Sequence, residues 1–229
     1  LVKTVTDADG DTASAALNLG TGVFSIEDDG PDIGEADALT ATATLDESPA
    51  SEDGVYSATI DLGNVFGATD YGTDTAGSTT YGVELDGGTT VASGLFILDP
   101  SVGDPSDPST DPGKGAAINL VDNADGTVSG VVAGTSNVVF NISVDASGVV
   151  TFAYADSIDP DNIWHPDTTD HDDAQSILAT TADTLLVRKT VFDADGDSTS
   201  QTIDIGNGVL IIEDDGPDIG EADALTATA

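Results

Sequence analysis

Carboxylates are the side chains in this sequence best placed to do chemistry, and they fall into three groups. The first is the run Glu27-Asp28-Asp29-Gly30-Pro31-Asp32-Ile33-Gly34-Glu35-Ala36-Asp37, with six acids in eleven residues. Pro31 fixes one φ angle, and Gly30 and Gly34 permit tight backbone paths. Left alone, these carboxylates repel one another and the segment is a solvated, flexible linker. Around Ca²⁺, which takes roughly six to eight oxygens in adaptable geometry, the same acids become a rigid joint. The second group is Asp193-Ala194-Asp195-Gly196-Asp197, three carboxylates at alternate positions with a glycine for the turn. Its glycine comes too early for an EF-hand, and Asp204 stands where that loop needs a closing Glu. On its own the motif reads equally well as an acidic β-turn. The third group, residues 159–173, holds both histidines and the only tryptophan. His165, Asp167 and His171 could form a zinc or transition-metal set, and Trp164 could stack on a sugar. The plainer alternative is an acidic loop that Trp164 pins to the core.

The first two groups each occur twice. Residues 26–43 and 212–229 are the same eighteen letters, and the match continues upstream. Asp7-Ala8-Asp9-Gly10-Asp11 repeats as Asp193–Asp197, Gly20 and Gly22 as Gly206 and Gly208, and 30 of 43 positions agree at an offset of 186. Such self-similarity marks a tandem array of one structural unit, each stacked on its neighbours. The boundary is expected at the Asp-Gly-Pro turn. Residues 1–32 are then the closing strands and linker of a preceding repeat, 33–218 a complete repeat, and 219–229 the start of the next. Glu213, Asp214, Asp215 and Asp218 are the second copy of Glu27, Asp28, Asp29 and Asp32.

Forty-three acids against four bases give a net charge of −39, and 36 of the acids are Asp. Asp beside Gly, Pro and Asn points to turns and oxygen-ligand loops more than to a generic solvating surface. Self-repulsion at this density works against a compact state unless cations offset it. The sign excludes nucleic acid and anionic membrane surfaces as partners. With no Cys, disulfides and thiolate metal sites are unavailable to the fold. No 18-residue apolar run is present, so no membrane insertion is expected. Nucleophile elbows, phosphate loops and HExxH are missing too, and the expectation is a non-enzyme.

The elements that must position these acids are strands. Residues 55–62, 138–144 and 149–154 alternate apolar and polar with period two, and Asp145-Ala146-Ser147-Gly148 joins the last two as a hairpin turn. Further strands are expected at 118–121, 127–132, 185–191, 200–205 and 209–212. The loop Asp193–Asp197 then lies between the last two long strands, at the end where the chain enters, facing the linker 27–37. Asp7, Asp9 and Asp11 would face an upstream linker in the same way. One helix is expected over 172–179, capped by Asp170. Residues 99–113, with four prolines, cannot pair in a sheet and read either as a boundary between two subdomains or, preferably, as a long surface loop.

The linker IEDDGPD resembles the Asp-rich, Pro-containing joint of cadherin-type domains. The phrase TVFDADGDSTSQTIDI followed by IEDDGPDI is similar to extender repeats of giant type I-secreted RTX adhesins of Gram-negative bacteria. That resemblance implies an all-β, Ig/cadherin-like β-sandwich tandem repeat with acidic calcium-binding linkers. It also implies a bacterial cell-surface location and a mechanical role, extending an adhesive region for cell adhesion or biofilm formation. Ca²⁺ would be held by Glu27, Asp28, Asp29, Asp32, Asp193, Asp195 and Asp197, and by their repeated copies. The partners would be neighbouring repeats and calcium ions. The rival reading is an extracellular glycan- or ligand-binding module using the 159–173 loop.

Overall fold

The computed structural model describes residues 1–48, 54–104, 106–155, 163–167, 170, 173–179 and 184–215. Sixteen strands account for nearly all of its regular structure. The first half of the chain holds β1 (Val2–Thr6), β2 (Thr12–Ala16), β3 (Asp32–Ile33), β4 (Ala43–Asp46), β5 (Ser57–Asp61), β6 (Thr69–Asp70), β7 (Ala76–Leu85) and β8 (Thr90–Leu98). The second half holds β9 (Lys114–Asp122), β10 (Val128–Val132), β11 (Val138–Val144), β12 (Val149–Tyr154), β13 (Ala174–Leu178), β14 (Leu185–Asp193), β15 (Ser198–Asp204) and β16 (Asn207–Glu213).

Two layers face each other. One is a six-stranded antiparallel sheet in the order β5-β12-β11-β10-β9-β8. The other is made of two three-stranded sheets, β13-β16-β4 and β15-β14-β7, and β7 and β13 pack on the first layer. Alternation decides which side chains meet between them. In β14, Leu185, Val187, Val191 and Asp193 are buried while Arg188, Thr190 and Phe192 are half-buried. Phe140 and Phe152 meet edge to face at 5.2 Å in the centre, an arrangement aromatic pairs favour. This is the all-β sandwich expected from the sequence.

Within the segment expected to be a helix, residues 173–179 are described and depart from expectation. Ala174–Leu178 is strand β13, not a helix, and it pairs antiparallel with β16. Ile177 is fully buried between exposed or half-buried neighbours, and a sheet edge seeking a partner outweighs the weak local helix preference. Strands β7 and β8 carry no clear sequence signal. Strand β7 is rich in Gly, Ser and Thr and takes its conformation from the edge of β14, and β8 is a mainly apolar run broken by Ser93 and Gly94. The 99–113 segment is a surface loop, as expected, and its order comes from repeated Asp-Pro-Ser triplets. Asp99, Asp104 and Asp107 each accept the backbone N–H and hydroxyl of the serine two residues on.

The chain's path sets two ends. Ile33, Gly34 and Asp37 pair with Thr69, Ala68 and Val65, and further along Asp46 pairs with Val55. The linker is therefore at one end, which we term proximal, and Glu47 is at the other. Strand β16 runs parallel to β4, so Asp214 also reaches the distal end. The Asp193–Asp197 loop between β14 and β15 is proximal.

The hairpin β1–β2 is the second copy of part of β14–β15, and among the described residues β1 pairs only with β2. Its apolar residues lie bare. Leu1, Val5, Leu17, Phe24 and Ile26 are exposed, whereas their counterparts Val187, Val191, Ile203, Leu210 and Ile212 are all core.

Gly130 tests the packing of the centre. A Cβ there would meet Phe140 Cζ at 2.3 Å, and the ring is boxed in by Phe152. Gly130→Ala is expected to destabilise the chain by about 1–3 kcal/mol in urea unfolding, as overpacking does. Adding Phe140→Leu should recover part of that loss, so the two changes will be less than additive.

Candidate metal centre

The loop Asp193–Asp197 is shaped by its own backbone. Asp193 donates its N–H to the Asp197 carbonyl at 3.1 Å, and Asp193 Oδ1 accepts the N–H groups of Gly196 and Asp197 at 3.0 and 2.8 Å. Gly196 takes φ +108°, a conformation that favours glycine. The copy at Asp7–Asp11 closes the same way: Asp7 N–H to Asp11 O at 3.0 Å, Asp11 N–H to Asp7 Oδ1 at 2.9 Å, and Gly10 at φ +102°. The conformation therefore belongs to the five-residue sequence and does not need the sandwich around it.

Burial separates the two copies. Asp193 is only 4 % exposed, whereas Asp7 lies in the open. Asp193 Oδ2 is buried with no hydrogen-bond partner, an arrangement that costs free energy unless something fills it. Around it stand more acids. One carboxylate oxygen each from Asp193, Asp195 and Asp197 lie within 4.8 Å of one another, and so do oxygens of Asp28, Asp74 and Asp195. The sequence places the linker opposite this loop, and the structure brings Asp28 there.

Asp74 carries little mark in the sequence. It lies in the turn between β6 and β7, and its signal is the pattern Asp70-Tyr71-Gly72-Thr73-Asp74, two acids about a glycine. Thr75 beside it takes φ +68°, rare for a β-branched residue, and that bend helps carry Asp74 to the cluster. Close packing fixes the rest of the turn. A Cβ on Gly72 would sit 2.7 Å from the Asp29 carbonyl oxygen, so glycine lets linker and turn touch.

The linker is docked along its length. Thr73 N–H donates to Asp29 Oδ2 at 3.2 Å, Asp32 pairs with Asp70, and Gly34 N–H donates to the Ala68 carbonyl. Gln201 from β15 clamps it, donating to Gly34 O at 2.8 Å and accepting Gly67 N–H at 3.0 Å. Buried Lys189 donates to Gly67 O at 3.0 Å from beneath. Glu27 is exposed and joins neither acid cluster.

Crowding shows in the acidities. Asp28, by hydrogen bonding and then by charge, pushes Asp197 above the usual carboxylate range. The approach of Asp193 does the same to Asp195, with the Asp28 charge adding to it. Burial opposes ionisation of Asp193, but hydrogen bonds from Asp195 and from the Gly196 and Asp197 amides outweigh it and hold Asp193 low. In the exposed copy, Asp9 and then the Asp11 amide hold Asp7 low. The loop is a set of carboxylates gathered around one buried member, Asp193, an all-oxygen donor set suited to a hard, oxygen-seeking cation.

In the third group the structure sets His165 beside Glu47. His165 Nε2 lies 3.1 Å from Glu47 Oε2, and Asp214 completes a trio whose ligand atoms lie within 4.8 Å. Asp167 instead donates its N–H to Asp173 Oδ2, and His171 lies outside the described residues. Trp164 donates its indole N–H to the Pro112 carbonyl at 2.8 Å and meets Phe96 edge-on. The Lys114 ammonium covers both rings, 4.5 and 4.7 Å from their centroids. Trp164 thus ties the 99–113 loop to the sandwich. Of the second linker copy, Asp214 is in this trio, Glu213 ends β16, Asp215 is half-buried beyond it, and Asp218 lies outside the described residues.

These features define an all-β sandwich domain with an acid cluster at its proximal end, built around buried Asp193. The chain belongs to the family described as "Domain of unknown function (DUF5801)", whose model matches residues 42–206. No curated protein and no solved structure matches it. No helix among the described residues is long and apolar enough to cross a membrane.

The raised acidities of Asp195 and Asp197 fix a sign. A carboxyl whose folded pKa is raised contributes stability at low pH that is lost as pH rises through that value. In EDTA at pH 7, Asp197→Asn should therefore raise the melting temperature by removing repulsion. In millimolar Ca²⁺ the same change should lower it relative to the unsubstituted chain, by removing a ligand. Melting curves of both proteins in both buffers check this reversal.

Proposed function

We propose that this domain is a calcium-rigidified structural extender, one unit of a tandem array in a large secreted bacterial surface adhesin. The observation that carries the reading is the buried Asp193 carboxylate, its Oδ2 without a hydrogen-bond partner, clustered with Asp195 and Asp197, with Asp28 of the incoming linker against the same loop. Asp28, Asp74, Asp193, Asp195 and Asp197 would hold the ion. Ca²⁺ supplies positive charge and a flexible oxygen shell. Linker and domain then share one site, so filling it fixes the angle between successive repeats.

The tandem arrangement is supported by the repeated sequence and by the bare apolar residues of 1–26, which match core positions of the complete unit. A preceding repeat would bury them and place a linker against Asp7, Asp9 and Asp11. The surface location and adhesive role rest on the resemblance to RTX adhesin extenders. The role is mechanical and not enzymatic. Extracellular calcium modules of this kind have Kd of about 10⁻⁴–10⁻³ M, empty inside a cell and filled outside it. The glycan-binding alternative has less support, because Trp164 commits its N–H to Pro112 and its ring to Phe96 and Lys114.

Thermal unfolding in EDTA, Mg²⁺ and Ca²⁺ tests the reading. A Ca²⁺-specific rise in melting temperature is expected, with about 2.7 kcal/mol per site near 100 Kd. Equal shifts with Mg²⁺ and Ca²⁺ would mean charge screening alone and would overturn it.

A further inference from the structure

The distal end carries a cluster of different chemistry. Glu47 leaves β4 at 2 % exposure, and its side chain bridges two groups. Oε1 accepts the Ile163 N–H at 3.1 Å, and Oε2 lies 3.1 Å from Nε2 of His165. The His165 side chain is only 3 % exposed; its Nδ1 is buried outside strict hydrogen-bond geometry to any group, with the Asp173 backbone acting on the ring as an acceptor. Asp214 comes from the end of β16, where its N–H donates to the Asp173 carbonyl at 3.2 Å. The hydroxyl of Tyr154 is also buried without a partner, within the electrostatic reach of Glu47. Two carboxylates and an imidazole converge here beside a buried Tyr154 hydroxyl that has no partner, a polar group that is costly to bury unless its atoms are satisfied.

We infer that Glu47, His165 and Asp214 form a second cation site, suited to a zinc-type divalent ion and distinct from the oxygen-only cluster at the proximal end. The donor types decide the class. Ca²⁺ takes oxygens alone, whereas borderline ions such as Zn²⁺ combine imidazole with carboxylate. The spacing of the one measured pair is compatible: ligands about 2.1 Å from a tetrahedral ion sit about 3.4 Å apart, and Glu47 and His165 are 3.1 Å apart. Such a site would fasten the root of the outgoing linker to the body of the repeat. Asp214 has the repeat position of Asp28. On the extender reading, one linker aspartate therefore stands at both sides of a junction: against Glu47 and His165 of the repeat it leaves, and against the acid loop of the repeat it enters.

Titration of the Ca²⁺-saturated chain with Co²⁺, a coloured stand-in for zinc, tests the inference. The expected result is a saturable visible spectrum typical of nitrogen ligation, abolished by Zn²⁺. His165→Gln should lower Co²⁺ affinity about tenfold or more. Far-UV circular dichroism is taken alongside, and Glu47→Gln serves as the second variant should His165→Gln fail to fold. His171→Gln should leave the titration unchanged. Unaltered Co²⁺ binding in a folded His165→Gln variant would overturn the inference, and so would its loss in His171→Gln. A Ca²⁺-specific stabilisation that persists in His165→Gln separates the two sites. If Ca²⁺ has no effect while Co²⁺ binds as described, only the extender reading falls.

Discussion

Repulsion between aspartates at the proximal end is the constraint on which the arrangement turns. Asp28, Asp74, Asp193, Asp195 and Asp197 come from three separate stretches of chain, and the fold drives them together. The driving force is burial elsewhere. Strand β14 lays Leu185, Val187 and Val191 into the core, and the register that does so also buries Asp193. Gln201 and Lys189, from β15 and β14, then clamp the segment around Gly34 and Gly67. The acid cluster is thus imposed by the sandwich, and positive charge entering it would offset its cost.

That coupling explains why the linker is part of the domain. Its backbone pairs with β6, its Asp29 accepts from Thr73, and its Asp28 presses on Asp197. A segment held by a few backbone pairs and the Gln201 clamp and opposed by like charges is poised: repulsion loosens it, and a shared cation would lock it. The distal trio repeats the theme with one histidine in place of a carboxylate, so both roots of a linker meet buried acids.

Much of this is legible in the sequence because the controlling signals are local. The Asp-x-Asp-Gly-Asp loop closes on its own amides, and it does so twice, buried at Asp193 and exposed at Asp7. Period-two alternation marks β11, β12 and β14. The parts that escape depend on distant partners. Strand β7 is Gly- and Thr-rich and takes its conformation from the edge of β14, and β13 reads locally as helix because its partner β16 lies about thirty residues away. Asp74 and Glu47 carry little local sign of their role. Asp74 reaches the cluster through the strained turn at Thr75, and Glu47 meets His165 across 118 residues of sequence.

The central claim concerns shape. Small-angle scattering from a chain of two consecutive repeats, in EDTA and then in millimolar Ca²⁺, tests it most directly. The account predicts a distribution of shapes in EDTA that narrows to one extended rod with a fixed maximum dimension in Ca²⁺. Scattering curves that superimpose in the two buffers, with both repeats folded, would contradict it.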